Sequence, residues 1–305
     1  MSHALVTRGL RKRYGHVRAL DGLDIEVPEG VICGFIGPNG AGKTTTFGVV
    51  GGLIEADEGE VDILGQGPLK PGEHGGAFSM LPQDCELIPQ VPVIRYLTYL
   101  ARLQGMSAAE AKKTAEERLD EVALKDRANN SIKELSHGMR RRVSVAQALL
   151  GNPKLVLLDE PTSGLDPELV IRMRDLFASH RGNRTLVISS HNLRELEELC
   201  DHVIFIQQGR CVRGGSVDEV TKRGLSMRYW VEKQFDLEPL LAEHEELTIT
   251  GEGNVLTVTA PDGWTASSIN AAVVPRILDA DAGLVEIRHG QTLEDVYMQD
   301  HAQGG

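Results

Sequence analysis

A glycine-rich loop behind an apolar run constrains the fold of this chain more than any other feature of its sequence. Residues 31–36, VICGFI, are apolar. Glycines in the next segment let the backbone curl until successive N–H groups point inward at an anion, which side chains would obstruct. The segment fits G-x-x-x-x-G-K-[ST] and therefore predicts a buried strand, a phosphate-binding loop and a helix over 44–50. Its residues are Gly37, Pro38, Asn39, Gly40, Ala41, Gly42, Lys43 and Thr44.

The last residues of this loop indicate which phosphates it binds. The predicted helix, with Thr45 in its first turn, directs its positive end toward the anion. Lys43 brings a compact positive charge to the outer phosphates, and the Thr44 hydroxyl can coordinate Mg²⁺. We therefore expect the loop to bind a nucleoside triphosphate with Mg²⁺.

Composition narrows the classes of protein that remain. The chain has 305 residues, 41% hydrophobic and 25% charged, which are ordinary values for a soluble globular protein. The net charge of −12 predicts that nucleic acid is not a partner, because its phosphates would be repelled. The short basic stretches 8–18 and 140–142 are interpreted as solvated faces. No apolar run approaches the roughly 18 residues of a membrane span, and four scattered cysteines indicate a cytoplasmic protein.

Residues 1–222 show the periodicities of an α/β domain. The first 30 residues alternate apolar and polar side chains, with turns at 21–22 and 28–30, and predict an antiparallel β subdomain. A helical subdomain follows at about 86–150, with Ser107 as an N-cap. Helices over a mostly parallel sheet are expected for the whole domain. Strands are predicted over 4–7, 23–27, 60–64, 77–81, 154–158 and 185–189, and further helices over 93–105, 108–124, 138–150, 169–180 and 192–199.

A smaller domain is predicted for residues 223–305, after the pattern breaks around 218–226. Its segments follow the order strand, helix, strand, strand, helix, strand, which is typical of a ferredoxin-like α+β unit. A short helix closes the chain. The predicted strands are 227–232, 246–250, 255–260 and 283–288, and the helices are 237–243, 265–279 and 292–299.

Two carboxylates follow the apolar run 155–158. Ligands gather at the carboxyl ends of parallel strands, which places Asp159 and Glu160 beside the phosphate loop. Asp159 can hold Mg²⁺, usually through its water, and Glu160 can orient or deprotonate an attacking water. Phosphoryl transfer needs mainly positioning and charge neutralisation, so a base, a metal and a cationic cradle are sufficient.

The remaining motifs resemble those of the ATP-binding cassette (ABC) family, the ATPase subunits of ABC transporters. The segment 135–139, LSHGM, is similar to the family's LSGGQ signature, with His137 and Met139 as departures. His137 adds a Cβ that restricts the backbone, and Met139 lacks the amide that contacts ribose. The residues that match the signature serine and second glycine, the D-loop, the switch histidine, the Q-loop and the adenine-stacking aromatic are Ser136, Gly138, Asp166, His191, Gln83 and Tyr14.

The resemblance, which covers about residues 4–222, implies a role for each residue. Glu160 would act as base, with His191, Gln83 and Lys43 completing the catalytic set. Thr44, Gln83 and Asp159 would hold the metal. Ser136 and Gly138 would contact the γ-phosphate bound to a second copy of the chain, so that ATP joins a homodimer.

Partners are also implied by the resemblance. A chain without a membrane segment would need separate transmembrane permease subunits, and would lie peripherally on the inner face of the cell membrane. The tail 292–297, TLEDVY, resembles the end of daunorubicin-resistance-type exporter ATPases. The alternatives are a methionine-type importer ATPase, a soluble ABC ATPase unconnected with transport, and a nucleotide sensor without hydrolysis.

Overall fold

The computed structural model describes residues 2–70, 74, 76–221, 226–236, 238–261 and 263–302. Contacts divide the chain into two units, 1–215 and 216–305. The predicted domain boundary after residue 222, and residue 237 at the start of a predicted helix, lie outside the described residues.

The described part of the first unit contains nine strands and six α-helices. The strands are β1 (His3–Tyr14), β2 (Val17–Pro28), β3 (Ile32–Ile36), β4 (Glu58–Ile63), β5 (Phe78–Leu81), β6 (Leu155–Asp159), β7 (Thr185–Ser189), β8 (His202–Gln207) and β9 (Arg210–Ser216). The helices are α1 (Lys43–Val50), α2 (Val93–Leu103), α3 (Ala108–Glu121), α4 (His137–Ala148), α5 (Pro167–Ala178) and α6 (Leu193–Leu199).

A six-stranded sheet in the order β5-β6-β7-β3-β8-β9 forms the centre of this unit. All five residues of β3, of β6 and of β7 are buried, as the apolar runs predict. In this order, every pair of neighbouring strands from β5 through β3 to β8 is parallel. Their carboxyl ends therefore meet at one edge of the sheet, where the phosphate loop leaves β3.

The N-terminal segment forms an antiparallel sheet in the order β2-β1-β4. The predicted turn at 21–22 is wrong, because β2 runs through both residues. Asp21 stays in the sheet since its N–H donates to the Gly209 carbonyl at 3.0 Å and its carboxylate accepts from Arg210. The β1–β2 hairpin turns instead at residues 15–16.

The helical segment between β5 and β6 follows the sequence prediction closely. Ser107 is the N-cap of α3, and it forms a capping box with Glu110, so that prediction is confirmed. The apolar stripe of α3 buries Ala111, Ala115 and Leu119. No helix in the part of the chain that the structure describes combines the length and apolar character needed to cross a membrane.

The second unit has the predicted ferredoxin-like order. The described elements are α7 (Val217–Val220), β10 (Ser226–Val231), α8 (Glu238–Glu243), β11 (Thr248–Glu252), β12 (Val255–Thr259), α9 (Ala266–Asp279), β13 (Leu284–His289) and α10 (Leu293–Ala302). The strands pair antiparallel in the order β11-β12-β10-β13. The buried residues Met227, Tyr229 and Val258 pack with α9 residues Ile269 and Val273 in one core.

Candidate active site

The glycine loop joins β3 to α1 and lies close to the neighbouring backbone. A Cβ at Gly37 would lie 2.4 Å from the Ile206 carbonyl oxygen, and a Cβ at Gly42 would lie 2.6 Å from the Ala19 carbonyl oxygen. Gly42 also has a φ of 108°, a conformation that favours glycine. Both positions therefore require glycine, and the loop borders a cavity of about 760 Å³.

Lys43 begins α1 and folds back over the loop. Its Nζ donates to the carbonyl oxygens of Gly37 at 2.6 Å and of Pro38 at 3.1 Å. Partial burial lowers the pKa of this lysine, while the nearby carboxylates of Glu160 and Asp159 oppose that shift. The ammonium therefore lies at the cavity with acceptors that a phosphate can replace.

Two oxygen-bearing side chains converge on the Thr44 hydroxyl. Thr44 Oγ1 lies 3.1 Å from Asp159 Oδ2 and 3.4 Å from Gln83 Oε1. Asp159 is buried, and its second oxygen accepts a hydrogen bond from the Ser189 hydroxyl. Hydroxyl, carboxylate and amide oxygens are the ligands that Mg²⁺ prefers, so this set fits the predicted metal.

Glu160 and His191 form a pair at the same edge of the sheet. His191 Nδ1 lies 2.9 Å from Glu160 Oε2. Glu160 has a φ of 50°. This left-handed conformation costs about 1–3 kcal/mol for a residue other than glycine. The Glu160 N–H is held by the Ser189 hydroxyl at 3.0 Å and by the Ser189 carbonyl at 3.2 Å. The backbone thus directs the carboxylate toward His191 and the cavity.

Tyr14 lies at the end of β1 and borders the cavity with Val17. Its ring is 48% exposed, and Lys12 Nζ lies 5.7 Å from the ring centroid. Asp57 holds Lys12 at 2.9 Å and accepts the Arg13 N–H at 2.7 Å. The hydrogen bond to Asp57 raises the pKa of Lys12. A flat exposed ring in this position can stack on a nucleotide base.

Ser136 is the N-cap of α4, and its Oγ accepts the Met139 N–H at 3.3 Å. A Cβ at Gly138 would lie 3.2 Å from the Leu165 side chain, so the turn packs beside the segment that carries Asp166. Ser136 and Asp166 are exposed. These side chains face solvent at helix N-termini, where N–H groups favour anions.

The structure brings together most, and not all, of the predicted site residues. Gly37, Ala41, Ser136, Gly138 and Asp166 are not among the residues that border the cavity. The predicted residues that border it are Tyr14, Pro38, Asn39, Gly40, Gly42, Lys43, Thr44, Thr45, Gln83, Asp159, Glu160 and His191.

The interpretation of residues 140–142 as a solvated face is wrong. Arg140 is exposed, but Arg141 and Arg142 are 8% and 5% exposed. Each buried guanidinium donates to backbone carbonyls, those of Val122 and Ala123 in the case of Arg142. A run of basic residues does not by itself predict the burial of an arginine, because the carbonyls that accept its hydrogen bonds come from distant segments.

Sequence analysis also missed a buried carboxyl behind the Glu160 loop. Glu195 of α6 accepts a hydrogen bond from the Thr162 hydroxyl at 3.2 Å. Burial raises its pKa, and the nearby Glu160 carboxylate adds to that shift. The sequence offered one signal for this carboxyl: Glu195 lies in the helix predicted over 192–199, four residues after His191.

Comparisons with known proteins agree with this geometry. The family model of the ABC transporter matches residues 20–163. Nod factor export ATP-binding protein I of Cupriavidus metallidurans is 32% identical over 310 residues, which cover 98% of this chain and 97% of that protein. The linearmycin resistance ATP-binding protein LnrL of Bacillus subtilis is 31% identical over 224 residues, 72% of this chain and 71% of that protein.

Solved structures give the same result. An ATP-binding subunit of an ABC transporter superposes with a TM-score of 0.66 at 27% identity, over 72% of this chain and 92% of that chain. A dimeric ATP-binding cassette in a post-hydrolysis state, bound to ADP and Pi, superposes with a TM-score of 0.64 at 25% identity, over 70% of this chain and 98% of that chain. The family predicted from the motifs is confirmed: this chain belongs to the ABC transporter family, as an ATP-binding subunit with ATPase activity.

Proposed function

We propose that this subunit hydrolyses ATP with Mg²⁺ at a site completed by a second copy, and so drives export through separate transmembrane subunits. The convergence of the Glu160–His191 pair with Thr44 and Asp159 beside the phosphate loop carries the proposal. A base, a metal site and a cationic cradle then surround one cavity, as phosphoryl transfer requires.

Each residue has a task that follows from its contacts. Lys43 exchanges the loop carbonyls for the outer phosphates, and Tyr14 stacks on adenine. His191 holds the Glu160 carboxylate, which accepts the proton of the attacking water. Gln83, near Thr44, links the metal side of the site to the segment 84–95, where we place the permease contact. Bound Mg²⁺ would neutralise charge on the β- and γ-phosphates.

The second copy is proposed because part of the predicted site does not border the cavity. Ser136 and Gly138 are at the N-terminus of α4, with Ser136 exposed. The anion-binding N-terminus of a helix thus remains for a phosphate held by another subunit. The dimeric state of the related cassette with ADP and Pi supports such an assembly.

Export is the direction favoured by the relatives, two of which are named for Nod factor export and linearmycin resistance. We therefore place the subunit on the inner face of the cell membrane, with residues 1–222 as the ATPase domain and 223–305 as an accessory domain. A methionine-type importer remains the alternative because the second unit is ferredoxin-like.

The substitution Glu160→Gln tests the proposal. The amide keeps the size of the side chain but cannot accept the proton, so turnover should fall by about 10²–10⁴-fold. Binding of ATP should be retained, because the phosphate loop and Tyr14 are unchanged. The measurements are steady-state phosphate release and equilibrium binding of ATP.

The matched control is Glu168→Gln, an exposed glutamate in the first turn of α5. It should hydrolyse ATP at the rate of the unaltered chain. Undiminished phosphate release by Glu160→Gln would exclude Glu160 as the base and would contradict the proposed mechanism.

A further inference from the structure

Arg141 is a buried cation to which the proposed reaction assigns no task. It lies in α4, the helix that begins after Ser136, and it is 8% exposed. Burial lowers its pKa. The hydrogen bonds of its guanidinium within the described residues all go to backbone carbonyls. A buried charge that forms no hydrogen bond to a carboxylate must be stabilised by the dipoles of the carbonyl groups that accept its hydrogen bonds.

The guanidinium joins two loops of the active site. Arg141 Nη1 donates to the carbonyl oxygens of Gln83 at 3.1 Å and Pro82 at 3.4 Å. Arg141 Nη2 donates to the carbonyl oxygens of Glu160 at 2.9 Å and Asp159. Arg141 Nε also donates to Glu160 O at 3.2 Å. One planar group therefore holds both segments.

The position of these carbonyls follows from the sheet. Strands β5 and β6 are parallel neighbours, and their last pair is Leu81 with Leu158. Beyond that pair the two chains diverge, toward Gln83 and toward Glu160. Arg141 connects the diverging ends where the ladder between these two strands stops. The guanidinium of Arg141 thereby sets the distance between Gln83, on the metal side of the site, and Glu160, the proposed base.

Glu160 needs such support because of its backbone conformation. Its φ of 50° is unfavourable for a side chain with a Cβ, and its N–H is held by Ser189. Arg141 holds the carbonyl at the other end of the same residue. The two contacts together fix the direction in which the carboxylate leaves the backbone toward His191.

The geometry points to Arg141 as a positioning residue for ATP hydrolysis, which holds Glu160 and Gln83 in register from the helix that begins after Ser136. The inference rests on the proposed function, since it gives Glu160 the role of base. Arginine is required at this position because its donors diverge in a rigid plane, whereas a lysine ammonium cannot reach both loops in the same way.

Arg141→Lys and Arg141→Gln in the full chain test this inference. We expect kcat for MgATP to fall by roughly tenfold to a hundredfold, which corresponds to the loss of about one charge-assisted hydrogen bond. KM should change less than kcat, because Arg141 donates to none of the phosphate-loop residues. Arg140→Lys, an exposed position on the same helix, is the matched control and should keep both constants.

Two further measurements separate positioning from stability. The rate is expressed per folded molecule, from the folded fraction seen by circular dichroism. Amide exchange is measured at residues 83–84 and 159–160, where we expect faster exchange in both variants than in Arg140→Lys. A normal kcat per folded molecule, or unchanged exchange in both segments, would overturn the inference.

Glu160→Gln is assayed in parallel so that the two failures are distinguishable. If Glu160→Gln loses turnover and the Arg141 variants keep it, the positioning role fails and the proposed function stands. If Glu160→Gln keeps turnover, the base assignment fails and the positioning of Glu160 by Arg141 fails with it.

Discussion

At the scale of single residues, Lys43 shows how sequence pattern and structure support each other. The motif requires a lysine after Gly42, and the structure places its Nζ on the carbonyls of Gly37 and Pro38. These contacts keep the charge beside the cavity at a position where burial already lowers the pKa of the ammonium. The lysine is therefore oriented for an anion by the loop that binds it.

Lys43→Ala should weaken ATP binding. Charge-assisted hydrogen bonds contribute about 1.5–3 kcal/mol each, so we expect Kd to rise by roughly 10- to 150-fold. Titration calorimetry with MgATP measures this change. Lys154→Ala, at an exposed position before β6, is the control and should leave Kd unchanged. Equal Kd values for the two variants would show that Lys43 contacts no phosphate.

Arg141 shows the opposite case at the same scale. The basic run 140–142 predicts exposure, yet only Arg140 is exposed. Arginine is normally a surface residue, and its burial is decided by acceptors at the ends of β5 and β6. Those acceptors lie about 20 to 60 residues away in the chain, so no local pattern announces them.

At the scale of elements, turn residues and tertiary contacts compete. Asp-Gly is a strong turn signal, but Asp21 and Gly22 remain within β2. Gly22 takes up a positive φ of 84° as a bulge against β1, and hydrogen bonds to Gly209 and Arg210 from the far end of the unit keep Asp21 in the strand. By contrast, Ser107 is followed by its capping partner Glu110 three residues later, and that local signal was sufficient.

The junction of α3 with the end of α5 contains a histidine that should make stability depend on pH. His180 has a pKa lowered from 6.5 to about 4, chiefly by burial and further by the charges of Arg184 and Arg118. The carboxyl of Glu121 lies in the same cluster, beside Arg118. His180 is thus neutral in the folded chain where the unfolded chain is already protonated.

His180→Gln should therefore reduce the loss of stability in acid. As pH falls from 6.5 toward 4, the unfolded state takes up a proton at His180 that the folded state does not, so acid favours unfolding. Above pH 6.5 this contribution disappears. Urea midpoints followed by circular dichroism should fall less steeply with acid in His180→Gln than in His16→Gln, an exposed control. Parallel pH profiles would contradict the assignment.

At the scale of the whole molecule, the exposure of Ser136 at the N-terminus of α4 predicts assembly. With ATP, the Glu160→Gln variant should form a dimer, because the triphosphate persists and can contact the N-terminus of α4 in a second copy. Light scattering should report twice the mass of one chain. The added change Ser136→Asp keeps an N-cap residue but repels the phosphate, and should restore the monomer. A monomer at saturating ATP in Glu160→Gln would contradict this assembly.

The sequence by itself determined the phosphate loop, the strand that ends in Asp159 and Glu160, the capped helix after Ser107 and the strand–helix order of the second unit. Each of these is encoded within a few neighbouring residues, since loop conformation, capping and periodicity are local. Only the tertiary structure decided that Arg141 joins two loops, that β2 continues past Asp21 and that Ser136 is not among the residues that border the cavity. These outcomes depend on partners far away in the chain, whose positions exist only after the sheet has formed.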